Sequence, residues 1–161
     1  MISNLKGTLE SISAEVLIVN VGAMSLEIHT PTSTIGNIGG LGQQVRLHTF
    51  LFVKEEMLAL YGFSTSEERN LFVLLNGVGG VGPKLALALL SAMNPQSLAK
   101  AIASSDTTTL TQVPGMGKKT AGRLILELKS KMEQEWGQSA ITVSLDNTEL
   151  MAALSALGFS N

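Results

Sequence analysis

The sequence has no cysteine, which excludes disulfides, thiol catalysis and zinc sites built on thiolates. His29 and His48 are its only histidines, too few for a multi-histidine metal centre, so neither a metal nor another cofactor is expected. No apolar run approaches the ~18 residues that a bilayer-spanning helix needs. No basic stretch followed by a long apolar block opens the chain, so no secretory signal is visible. The expectation is a soluble, cytoplasmic protein that starts at Met1 and has no membrane partner. Aromatic residues make up only 4% and charged residues 15%, yet 45% of the 161 residues are apolar and the net charge is −2, a balance that favours folding over disorder. Such a length holds one ordinary domain or two very small ones.

The small net charge hides a gradient. Residues 1–63 carry three Lys/Arg against five Asp/Glu, residues 64–131 carry eight against four, and residues 132–161 carry none against four. A basic middle between acidic ends can attract an anionic partner while limiting indiscriminate binding. A solvated surface would account for the same counts, so position has to decide.

Residues 1–63 have the pattern of β structure. Runs at 14–21, 24–30 and 45–53 are rich in Val, Ile, Leu, Phe and Thr and are separated by Gly22, Pro31, Gly36, Gly39, Gly40 and Gly42. Five short strands in about 60 residues suit a small closed barrel better than an open sandwich. From Ser64 the period becomes helical. Ser64 and Glu67 have the spacing of a capping box, Asn94 precedes Pro95 at a helix start, Asp106 caps a short helix before Pro114, and a long helix follows from about Gly117 to Trp136. Residues 137–147 are polar and read as a flexible linker. Residues 148–158, TELMAALSALG, resume as one amphipathic helix, which cannot bury its own apolar face, so either 148–161 is an incomplete third domain or this face docks elsewhere.

The informative feature is a repeat at an offset of 35 residues: Gly80-Val81-Gly82-Pro83-Lys84-Leu85-Ala86 aligns with Gly115-Met116-Gly117-Lys118-Lys119-Thr120-Ala121. In each copy a helix leads into Gly-apolar-Gly, a lysine follows two residues later, and a second helix departs: a helix-hairpin-helix. Paired glycines let a turn expose successive N–H groups at a helix start, where unpaired donors and the dipole favour a phosphate. Ala121, Leu124, Ile125 and Leu128 form the apolar stripe of the second exit helix, leaving Lys119 and Arg123 outward. Cations in a first helical turn are disfavoured by the dipole, so an anion bound by Lys118, Lys119 and Arg123, and by Lys84 in the first copy, would relieve the misfit. Such turns contact backbone phosphate, with little base readout.

Two other motifs fail on context. Residues 77–82 match G-x-G-x-x-G, but helix follows helix where a dinucleotide fold needs alternating strands, and Pro83 stands where a P-loop needs lysine. A helix-hairpin-helix DNA repair nuclease or glycosylase stays open as an alternative. It would require a catalytic cluster, and the two aspartates, Asp106 and Asp146, form none. A protein-interaction module using the barrel alone is a third reading.

The segments GGVGPKLALALL, VPGMGKKTAGRLILELK and VKEEMLALYGF resemble the RuvA family, the Holliday-junction-binding subunits of the bacterial branch-migration machinery, and the similarity runs in order over residues 1–136. The resemblance implies an α+β chain: an N-terminal OB-fold barrel (1–63), a tandem helix-hairpin-helix domain (64–136), a linker (137–147) and the start of a small helical domain (148–161). It implies DNA contacts at Gly80, Gly82, Lys84, Gly115, Gly117, Lys118, Lys119 and Arg123, and no catalytic residue. It also implies a homotetramer, or paired tetramers, holding a four-way junction open and square. The partners it implies are the hexameric ATPase RuvB, recruited through a three-helix C-terminal domain of which this chain carries one helix, and the resolvase RuvC. Glu55 and Glu56 would form an acidic pin near the tetramer centre, where gathered carboxylates repel phosphates at the crossover. Without the resemblance they are a solvated turn. Lys54 lies beside them; His29 and His48 are expected to be structural, and Met24, Met57 and Met93 core or interface filler.

Overall fold

A computed structural model of the chain describes residues 2–55 and 57–136. The linker and single helix expected in 137–161 lie outside the described residues, as does Glu56. Packing divides the chain between Arg69 and Asn70 into two compact units.

The first unit is a closed barrel of five strands: β1 (Asn4–Ile12), β2 (Val16–Asn20), β3 (Ser25–His29), β4 (Gln44–Lys54) and β5 (Met57–Phe63), hydrogen-bonded in the order β1-β2-β3-β5-β4. Each strand serves two neighbours, with a single parallel pair, His29 and Tyr61, joining β3 to β5, and β1 divides its two along its length. Residues 4–8 pair with β4, and residues 8–12 pair with β2. Between the two, the register with β2 shifts around Glu10, and an irregularity of this kind lets a strand curl enough to close a small barrel. Side chains alternate as a half-buried strand requires: Leu5 and Leu9 from β1, Leu17 and Val19 from β2, Ile28 from β3, Val45 and Leu47 from β4, and Leu60 from β5 make one apolar core. Ile35, from a short helix α1 (Thr32–Asn37) between β3 and β4, packs against it.

At the end of the barrel Glu68 is only 6% exposed. Its carboxylate accepts from the Ser64 N–H at 3.1 Å and hydroxyl at 2.8 Å, and from the hydroxyls of Ser33 at 2.9 Å and Thr34 at 3.2 Å. A buried carboxylate is tolerable only when donors surround it in this way. Thr65 Oγ1 accepts from the Glu68 N–H at 3.1 Å, so helix α2 (Ser66–Asn76) begins with a cap at Thr65 and Glu68. The cap thus falls one residue later than the Ser64 and Glu67 expected from spacing, because Glu68, not Glu67, faces the donors of α1.

The second unit holds the remainder of α2 with α3 (Pro83–Ala92), α4 (Pro95–Ala103), α5 (Thr107–Thr111) and α6 (Lys118–Trp136). Its caps follow the expectation. The Asn94 side chain accepts from the Ser97 N–H at 2.8 Å with Pro95 opening α4, and Asp106 accepts from the Thr109 N–H at 3.0 Å and its hydroxyl at 2.5 Å. Ala86, Leu87, Leu89 and Leu90 of α3 are buried inside this unit, as are Ala121, Leu124, Ile125 and Leu128 of α6. Met24 and Met57 are exposed and belong to neither core. An α+β chain results, with strands first and helices after.

Candidate nucleic-acid interface

The two copies of the repeat adopt one geometry. In the first, the Val78 N–H donates to the Leu75 carbonyl at 3.0 Å, Val81 to Val78 at 3.0 Å and Ala86 to Gly82 at 2.9 Å. In the second, Val113 donates to Leu110 at 3.2 Å, Met116 to Val113 at 3.0 Å and Ala121 to Gly117 at 2.9 Å. Gly80 has φ +92° and Gly115 φ +89°, a region that costs other residues dearly, and this explains the first glycine of each copy. Val81 and Met116, between the glycines, are buried and anchor the turns. Gly82 and Gly117 face open space, and Gly82 stands at the N-cap of α3 with no side chain to take up the helix's first N–H groups.

The turns are neighbours. A Cβ at Gly80 would lie 3.8 Å from Cγ2 of Thr120, and one at Gly115 would lie 3.6 Å from Cδ1 of Leu85. Thr120 and Leu85 are themselves equivalent in the repeat, so the contacts are reciprocal and relate the hairpins by a local pseudo-two-fold axis. Both turns stay at the surface: Gly80, Gly82, Gly115 and Gly117 are exposed, as are Lys84, Lys118 and Lys119. Among the described residues no acceptor meets the N–H groups of these four glycines. The arrangement therefore offers paired sets of main-chain donors flanked by cations, which is what phosphate recognition requires.

Arg123 departs from this pattern. Its Nε donates to Oε1 of Glu127 at 2.6 Å, and a Cβ at Gly79 would fall inside its guanidinium. Oε2 of Glu127 accepts from the Gly79 N–H at 3.3 Å. The hydrogen bond from Arg123, with the Gly79 amide and nearby Lys131 adding to it, holds the Glu127 carboxyl below the usual carboxylate range. The spacing of Arg123 and Glu127 announces a helical ion pair; nothing in the sequence announces that it grips a turn 48 residues away.

Comparison with known proteins agrees with both units. Residues 1–62 match the family described as RuvA N terminal domain, and residues 72–130 match the SAM-like helix-hairpin-helix tandem. A Holliday junction branch migration complex subunit RuvA from Dehalococcoides mccartyi is 44% identical over 100% of this chain and 84% of its own length. The chain belongs to the RuvA family. Proteins of the same description from Herpetosiphon aurantiacus and Delftia acidovorans are 45% and 40% identical, covering 99% and 100% of this chain and 83% and 85% of their own. The five-stranded barrel is accordingly the OB-fold of RuvA, and the helical unit its helix-hairpin-helix tandem.

In this RuvA-family barrel, Lys54 pairs with Met57 across the β4–β5 hairpin, and Glu55 is exposed in the turn they bracket. Val53 and Leu58, 65% and 73% exposed, flank that tip, and the Lys54 ammonium lies 5.5 Å from the Phe52 ring centroid. The His29 ring lies 5.5 Å from that of Tyr61, the residue it registers with on β5, tilted by 36°. Among the described residues no group of three His, Asp or Glu side chains is placed to hold a metal ion, and no helix is long and apolar enough to cross a membrane.

Proposed function

We propose that the chain binds four-way (Holliday) junction DNA, holding it open and square for branch migration in recombination and repair. The observation that carries this is the reciprocal pair of hairpin turns with exposed, unoccupied amides. The two backbones of a duplex are related by local two-fold axes, and a pseudo-two-fold pair of phosphate sites matches that symmetry as dimeric readers match palindromes. The DNA contacts are Gly80, Gly82, Lys84, Gly115, Gly117, Lys118 and Lys119, with Arg123 contributing through its exposed face.

Residues 1–63 are the assembly core and acidic pin, 64–136 the DNA-binding domain, 137–147 the linker and 148–161 the start of the motor-binding domain. The exposed apolar side chains around Glu55 support a homotetramer, or paired tetramers, gathered at that hairpin. The protein is a non-enzymatic cytoplasmic subunit: ATP hydrolysis resides in the partner RuvB, and cutting in RuvC. The description of the relatives as Holliday junction branch migration complex subunits supports a junction-binding role within a larger complex. Gel-shift affinity for a four-way junction and for linear duplex of equal length, across a salt series, tests the reading. Junction preference is expected, and equal affinities would remove it. Intact DNA after incubation with magnesium is expected of a binding subunit; cleavage would point to a nuclease.

A further inference from the structure

Three α6 residues at successive i, i+4 spacing lie along the first hairpin turn. Arg123 covers Gly79, Glu127 accepts from the Gly79 N–H at 3.3 Å, and Lys131 Nζ would stand 3.4 Å from a Cβ at Gly77. α6 is the exit helix of the second hairpin. Gly79 could not carry a side chain without displacing the Arg123 guanidinium, whereas a Cβ at Gly77 would make only ordinary contact with Lys131. The chain's one carboxylate on this stretch of α6 thus stands beside a basic, phosphate-facing surface, where it opposes the approach of an anion.

We propose that Glu127 is a positioning residue for DNA binding: by gripping the Gly79 amide and aligning Arg123 over it, Glu127 locks the first turn onto the helix of the second, so that both phosphate sites meet a duplex as one rigid pair. This rests on the junction-binding reading. It predicts an effect of opposite sign to simple electrostatics. A carboxylate that is merely near the site should, when removed, let DNA bind more tightly. A carboxylate that positions the turn should, when removed, weaken binding.

The experiment measures anisotropy of a labelled four-way junction with the full chain, its Glu127→Ala, Glu127→Gln and Lys119→Ala variants, and follows amide exchange at Gly79 by NMR. Glu127→Ala should weaken junction binding about fivefold, the size of one lost intramolecular hydrogen bond, and speed Gly79 exchange. Glu127→Gln retains an acceptor for that amide and should restore most of both. Equal or tighter binding by both variants would overturn the proposal, as would unchanged Gly79 exchange in Glu127→Ala. If Glu127→Ala loses its cooperative melt, Glu127→Gln decides alone: tighter binding with Gly79 unprotected overturns the idea. Failure of the unaltered chain to bind a junction, or indifference to Lys119→Ala, strikes instead at the junction-binding reading.

Discussion

Thr120 lies against Gly80 as Leu85 lies against Gly115, at 3.8 Å and 3.6 Å from the Cβ each glycine lacks. Because Thr120 and Leu85 are the same residue of two repeats, a duplicated sequence has produced a duplicated contact, and each hairpin buttresses the other's turn. The proposed phosphate sites are thereby packed against one another, in addition to the Glu127 contact with Gly79.

Lys119 is exposed beside the second turn and takes part in no ion pair among the described residues. Lys119→Ala should lower the slope of log affinity against log salt by roughly 0.9, the share of one phosphate on duplex-type DNA. The loss should be alike for junctions of different sequence, because phosphate contacts carry no base information. Gel-shift titrations at several salt concentrations measure both.

Gly80 and Gly82 should respond differently to alanine. At Gly80, φ +92° makes a side chain strained, and Gly80→Ala should destabilise the protein by about 1–2 kcal/mol in urea titrations. Gly82 has φ −88° with open space where a Cβ would go, so Gly82→Ala should melt like the unaltered protein. On the proposed reading its methyl would nonetheless stand in the path of a phosphate to the α3 amides, and junction binding should weaken.

Asp106 supplies a pH test. Hydrogen bonds from the Thr109 hydroxyl, then the Thr109 amide, hold its carboxyl below the usual carboxylate range. The unfolded chain therefore takes up this proton first. The stability it contributes is complete above that range and is lost as the pH falls through it toward the depressed folded value. Urea midpoints between pH 7 and pH 3 should decline less steeply for Asp106→Asn, which keeps the cap but cannot titrate there.

Replacing both residues of the proposed pin, Glu55→Gln with Glu56→Gln, should change strand separation more than affinity. Branch-migration assays with a motor-competent, full-length version check this. Unchanged migration would leave Glu55 as an ordinary hairpin turn.

The barrel was legible because β-branched and aromatic runs broken by Gly and Pro specify short strands, and both hairpins because a repeat exposes turn chemistry twice. The caps at Asn94 and Asp106 were legible for the same local reason. Helix α1 was not: Pro31 and Gly36 within 31–37 look like turn residues, and only Thr34 buried in the barrel unit and Ile35 against its core explain a helix there. The one-residue error at Ser64 arose because the overlapping pairs Ser64 and Glu67, Thr65 and Glu68 both satisfy the spacing, and the Ser33 and Thr34 hydroxyls of α1, 35 and 34 residues before Glu68, decide between them. Arg123 showed its helix face and its charge; its grip on Gly79 depends on tertiary approach, which no local pattern records.

Since β1 hydrogen-bonds to both β2 and β4, the ring of strands leaves that side without an open ladder of backbone donors and acceptors. Any partner that docks on this side has to be recognised through side-chain chemistry, because the backbone there offers no edge for an added strand.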